Sequence, residues 1–161
     1  MTHLLSKVIE GELWILLLLV ISKYNYILGR AHGFLLQKHF TKEDVIDGAK
    51  KDGLLELKSK TDVPSTPGHL VALLYSPHDD GVGWLGDYHW VRRDSLNSWS
   101  QKDGGDQVTN FDFAGQPITD PETANWTVNQ GVLSKDPKND VVVSYKFLAW
   151  MWVPNKDVTI L

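Results

Sequence analysis

Gly86-Asp87-Tyr88-His89-Trp90-Val91-Arg92-Arg93-Asp94, continued by Ser95-Leu96-Asn97-Ser98-Trp99-Ser100, is the stretch on which the reading of this chain turns. Half-buried side chains alternate with polar ones on either side of a short polar turn, so it reads as a strand, a turn and a second strand. On the first strand Tyr88, Trp90 and Arg92 project to one side and Asp87, His89, Val91 and Arg93 to the other.

Working outward, Ser76 to Gly86 holds Pro77, Asp79, Asp80, Gly81 and Gly83, a loop rich in turn formers. Before it, His69-Leu70-Val71-Ala72-Leu73-Leu74-Tyr75 is almost unbroken apolar sequence, as in a strand covered on both faces. Pro64 and Pro67 mark the loop that leads into it. Downstream, Val108 to Asp112 reads as a short strand, and Thr123 to Asn139 has no clean period and reads as loop. Val141 to Val153 reads as one long strand. Its alternation puts Val141, Val143, Tyr145, Phe147, Ala149 and Met151 on one face and Val142, Ser144, Lys146, Leu148, Trp150 and Trp152 on the other, with Pro154 as its end.

Towards the N-terminus, Thr41 is placed to cap a helix with Asp44 at its third position and an apolar stripe of Val45, Ile46 and Ala49, stopped at Gly53. Leu13 to Ile21 is a run of nine apolar residues. A spanning helix needs about 20 such residues, and Glu10 and Glu12 before the run do not suit a signal peptide. The run therefore reads as a buried helix, with membrane association through residues 13–21 as the other reading. Helices first and antiparallel strands second predict an α+β fold: one domain over 1–161, with an apolar helix at 13–21 and an antiparallel sheet over 68–161. A mostly-β barrel with a helical N-terminal appendage is the alternative.

Composition narrows the function. A net charge of −4 and a pI near 5.8 supply no basic field for phosphate backbones, so nucleic acid is not an expected partner. The absence of cysteine removes disulfides, thiolate metal sites and a thiolate nucleophile together. His32, His39, His69 and His78 show no metal-ligand spacing, so no metal is expected. No phosphate-cradling glycine motif and no serine elbow occur, so no cofactor is expected.

What remains is His89. Asp112 follows by one hairpin's length, which lets a returning strand set a carboxylate beside the imidazole in the orienting role. The plainer alternative is a core histidine bonded to its surroundings, with Asp112 capping the turn before Gly115. Trp84, Trp90 and Trp99, near turns, read either as packing or as stacking platforms for a sugar or peptide.

The sequence "GHLVALLYSP…DYHWVRRDSLNSWSQKDGGDQVTNFDFAGQPITDP" resembles a mostly bacterial family with a D-[YF]-H-[WF]-Y-R-x-D, W-S-x-K-x-G, V-T-N-x-D-x-x-G and I-x-D-P pattern. Upstream, "YNYILGRAHG" and "DGAKKDGLLEL" are looser copies of its other segments, so the likeness runs from about Lys23 to Ala124. The Cys, His, Asp order of that pattern implies a papain-like or NlpC-like core and cysteine-hydrolase chemistry. Its histidine falls on His89, its aspartate on Asp112 and its turn glycine on Gly115. The nucleophile is replaced by Lys23, with Ser22 beside it pointing elsewhere on a helix. Val91, Gln101 and Asn125 also depart from the pattern.

Three functions follow as expectations. The first is a non-catalytic papain-like module, a pseudoenzyme, binding a protein or peptide in a groove beside His89, Trp90, Trp99 and Lys23. The second is a peptidase- or amidase-like hydrolase with Ser22 or another hydroxyl as nucleophile, His89 as base and Asp112 as orienter. The third is a structural subunit docked into a larger assembly through its apolar N-terminal helix.

Overall fold

The computed structural model of the chain describes residues 39–94, 98–104, 106–133, 139–156 and 158. Among them are one helix, α1 (Lys42–Lys51), and seven strands: β1 (Leu55–Leu57), β2 (Gly68–Ser76), β3 (Asp87–Arg93), β4 (Trp99–Gln101), β5 (Thr127–Val132), β6 (Asp140–Ser144) and β7 (Lys146–Pro154). Thr41 caps α1 through a reciprocal pair: its hydroxyl accepts the Asp44 backbone N–H at 3.2 Å, and its own backbone N–H donates to the Asp44 carboxylate at 2.7 Å. The helix stops at Asp52 and Gly53, the latter at φ 99°, where glycine avoids the Cβ penalty of the left-handed region.

β2 and β7, the two long apolar runs, lie side by side at the centre of a five-stranded antiparallel sheet of order β1-β7-β2-β3-β4. Strands buried on both faces carry few polar side chains, and these two are the most apolar. The edges, β1 and β4, have three residues each. β5 and β6 form a separate antiparallel pair.

Each face of the large sheet has its own core. On one face Leu70, Ala72 and Leu74 of β2, Val91 of β3 and Trp150 and Trp152 of β7 meet Val141 and Val143 of β6, together with Trp126, Ile118 and Tyr145. On the other, Val71, Leu73, Trp90, Ala149, Met151 and Val153 are covered by Val45 and Ala49 of α1 and by Leu54. The small strand pair thus packs on one face and the helix on the opposite one.

Two expectations are corrected. The fold is mostly β, with a single ten-residue helix among the described residues, and not an α+β domain of N-terminal helices packed on a sheet. The papain-like or NlpC-like core falls with it. The described part of the chain is dominated by strand pairing, and the apolar run 13–21 lies outside the described residues. Nor is the C-terminal strand continuous. Tyr145 separates β6 from β7, and the register against β2 jumps between Leu73, opposite Ala149, and Leu74, opposite Phe147, leaving Leu148 as a bulge. A bulge reverses the parity of the side chains beyond it. Phe147 consequently shares a face with Trp150, their rings 4.9 Å apart, while Ala149 and Met151 face α1.

Candidate functional site

His89 sits in the middle of β3, opposite Leu74 of β2, on the face that the small strand pair covers. Only 8% of its surface is exposed. Three rings enclose the imidazole: Phe113 at 5.4 Å, Trp126 at 5.9 Å and Tyr145 at 5.9 Å between centroids. Its polar partner is Gln101 of β4, with Nε2 of the ring 3.0 Å from Oε1 of the amide. Gln101 stands directly opposite Val91, so this is a diagonal contact across neighbouring strands. The amide passes the chain on, donating from Nε2 to the Phe111 carbonyl at 3.1 Å. Burial lowers the His89 pKa below the ordinary histidine value, against the opposing pull of the Asp103 carboxylate and the Gln101 hydrogen bond. The neutral ring is therefore the favoured form, and it donates to the amide oxygen from Nε2.

Asp112 does not share this bond. Its Oδ1 accepts the backbone N–H groups of Ala114 at 3.0 Å and Gln116 at 2.9 Å, and its Oδ2 accepts that of Asn125 at 2.9 Å. The returning segment does reach His89, but it brings the Phe113 ring and, through Gln101, the Phe111 carbonyl. The carboxylate between them closes the turn at Gly115, whose φ of 76° favours glycine, and ties that turn to the residue before Trp126.

Beside the rings around the imidazole lies a second, partly buried pair that the sequence did not announce. The Tyr145 hydroxyl donates to Asp87 Oδ2 at 2.9 Å, and the Tyr88 backbone N–H donates to Asp87 Oδ1 at 2.8 Å. Burial pushes the Asp87 carboxyl up, offset in part by these two donors; burial and then Asp87 push the Tyr145 phenol up. Asp87 could be placed on the His89 face by alternation alone, whereas Gln101, Phe113, Trp126 and Tyr145 come from four separate segments with no shared spacing.

The remaining pattern residues are committed to the scaffold in the same way. Arg92 pairs with Asp94 at 2.6 Å, and Asp94 also accepts from Ser100 Oγ at 3.0 Å. Trp99 lies against Trp150 at 5.4 Å, Asn110 donates to the Trp99 carbonyl at 2.8 Å, and Asp120 pairs with Lys60 at 2.6 Å. The Trp126 indole donates to the Pro121 carbonyl at 2.9 Å.

The expected groove is not assembled by these residues. Trp90 and Trp99 are each 5% exposed and belong to the cores on opposite faces of the sheet. Ser22 and Lys23 lie outside the described residues. So do His3 and His32.

A mostly antiparallel β protein with a polar site buried under aromatic rings is the class that this geometry defines. The chain is 33% identical over 97 residues to insoluble matrix shell protein 1 of Ruditapes philippinarum, a stretch that covers 60% of this chain and 58% of that one. The chain thus matches little more than half the length of that relative. No protein-family model matches the chain, and no solved structure matches it. A shell protein as relative lends no support to the bacterial and hydrolase-like character that the sequence pattern implied.

Proposed function

We propose that this chain is a non-catalytic module that holds a fixed shape for a protein or peptide partner within a larger assembly. The observation that carries this reading is the fate of the His89 constellation. A general base needs a substrate-facing nitrogen and, in the hydrolase arrangement, a carboxylate behind it. Here Nε2 is engaged by a neutral amide inside an aromatic enclosure, and the carboxylate that would serve as orienter is saturated by three backbone N–H groups. Such bonds build a rigid core and leave little proton-transfer capacity. The name of the relative, a protein of an insoluble shell matrix, favours a structural constituent over a hydrolase.

The full chain, assayed on a panel of chromogenic amide and ester substrates, is expected to show no turnover above that of the heat-unfolded chain. Immobilised and screened against a randomised peptide-display library, it is expected to retain peptides saturably. Turnover abolished by His89→Gln overturns the non-catalytic reading. Failure to retain any peptide overturns the assignment of a peptide partner.

A further inference from the structure

His39, His78 and Asp80 stand apart from everything described so far. They are exposed, and one ligand atom from each, two imidazole nitrogens and a carboxylate oxygen, falls within 4.8 Å of the others. The two imidazoles already lie side by side, with centroids 4.3 Å apart and planes tilted by 53°. We infer that His39, His78 and Asp80 form a surface site for a divalent transition metal of the zinc class, with three protein ligands and an open coordination position.

The scaffold beneath the three residues is well fixed. His78 and Asp80 flank Asp79, whose backbone N–H and carbonyl both bond to Trp84, at 2.8 and 2.9 Å. The Asp79 carboxylate accepts the Gly81 N–H at 2.8 Å, tightening the same turn. Gly86 passes so close that a Cβ on it would lie 2.9 Å from the backbone nitrogen of His78, and its φ of 85° also favours glycine. His39 precedes Phe40, whose carbonyl accepts the Tyr75 hydroxyl at 2.9 Å and whose ring lies 6.0 Å from that of Tyr75. The start of the described chain is thereby held against the end of β2, beside the turn that carries the other two ligands.

Zinc binds imidazole nitrogen and carboxylate oxygen at about 2.0–2.2 Å, which sets tetrahedral ligand atoms roughly 3.3–3.5 Å apart. The ligand atoms, within 4.8 Å of one another, must draw together to reach that spacing, and exposed side chains are free to change rotamer to do so. Two imidazoles select zinc, nickel or copper over calcium and magnesium, which take oxygen ligands. Three protein ligands leave one position for water or for a donor from another molecule. No local spacing in the sequence marks this set, because His39 is separated from the other two by α1, β1 and β2.

Isothermal titration of the full chain with zinc chloride tests the site. One equivalent is expected to bind at this site, and His39→Ala, His78→Ala and Asp80→Asn are each expected to weaken it at least tenfold. A hundredfold excess of calcium is expected to leave zinc bound. His3, His32 and His69 are the histidines to exclude, so a His3→Ala/His32→Ala/His69→Gln variant is expected to retain the site's affinity within twofold. No heat of binding at millimolar zinc, unchanged affinity in the His39→Ala/His78→Ala double variant, or displacement by calcium each overturns the inference. His39, His78 and Asp80 are exposed, and circular dichroism of every variant checks that the fold is kept.

Discussion

Between His89 and Gln101 the bond is one of imidazole to amide, 3.0 Å long, buried on β3 and β4 where a carboxylate would have made a very different site. Replacing the amide by an acid, Gln101→Glu, sets a negative charge beside the ring and favours its protonated form. The His89 pKa is expected to rise relative to the parent chain, read from the pH dependence of its imidazole resonances by NMR. Gln101→Leu removes the partner of a buried nitrogen and of the Phe111 carbonyl, and it is expected to cost about 1–3 kcal/mol of stability in urea unfolding.

Asp112 holds its turn through three backbone donors, and charge-assisted bonds to a carboxylate are stronger than neutral ones. Asp112→Ala is expected to lose about 3–5 kcal/mol, since it strands several backbone N–H groups at once. Asp112→Asn, which keeps one acceptor oxygen, is expected to fall between the two in midpoint of urea unfolding. Equal stability of all three chains would exclude the scaffold role.

Acid is expected to weaken the fold before the ordinary carboxylate range is reached. His69, partly buried and close to Arg92, is held down to about 4 by burial first and by that guanidinium second, against its hydrogen bond with Asn155. His89 is also lowered by burial. Each binds a proton more readily in the unfolded chain, so stability present above about pH 6.5 is lost as pH falls, for His69 down to about 4. Asp87 acts in the opposite sense, because its raised pKa lets the folded chain take up a proton first. Urea midpoints at pH 7.5 and pH 5 are expected to differ, and His69→Gln is expected to narrow that difference.

Gly68 begins β2 beneath the Trp152 indole. A Cβ there would lie 2.5 Å from both Trp152 Nε1 and the Val153 carbonyl, and the second of these is backbone that cannot swing aside. Gly68→Ala is expected to cost about 1–3 kcal/mol, the usual penalty of overpacking, with a lower thermal midpoint as the readout.

Local signals carried part of this molecule plainly. The capped helix, the apolar β2 run and the alternation of β3 follow from neighbouring residues, and each was readable. The parity of β7 was not, because the bulge at Leu148 depends on pairing with β2 and leaves no mark in the apolar pattern itself. β5 escaped for a related reason: its outward face is Thr127, Asn129 and Val132, and it gains its inner covering only against β6. The sequence offers His89 and Asp112 as a pair, whereas the structure puts the Asp112 carboxylate on backbone N–H groups. The sequence could not show that a one-residue offset turns the carboxylate into its own loop and presents Phe113 to the ring instead. Gln101 was visible only as a departure from a pattern, without the geometry that makes it the histidine's partner.

The two three-residue margins of the large sheet limit what can pair with it. Long β2 and β7 are flanked on both sides, and the strips that remain offer too few open backbone groups for another chain to be zipped on sideways. A neighbouring chain that tried to add a strand to this sheet would find only a three-residue ladder to pair with on either side.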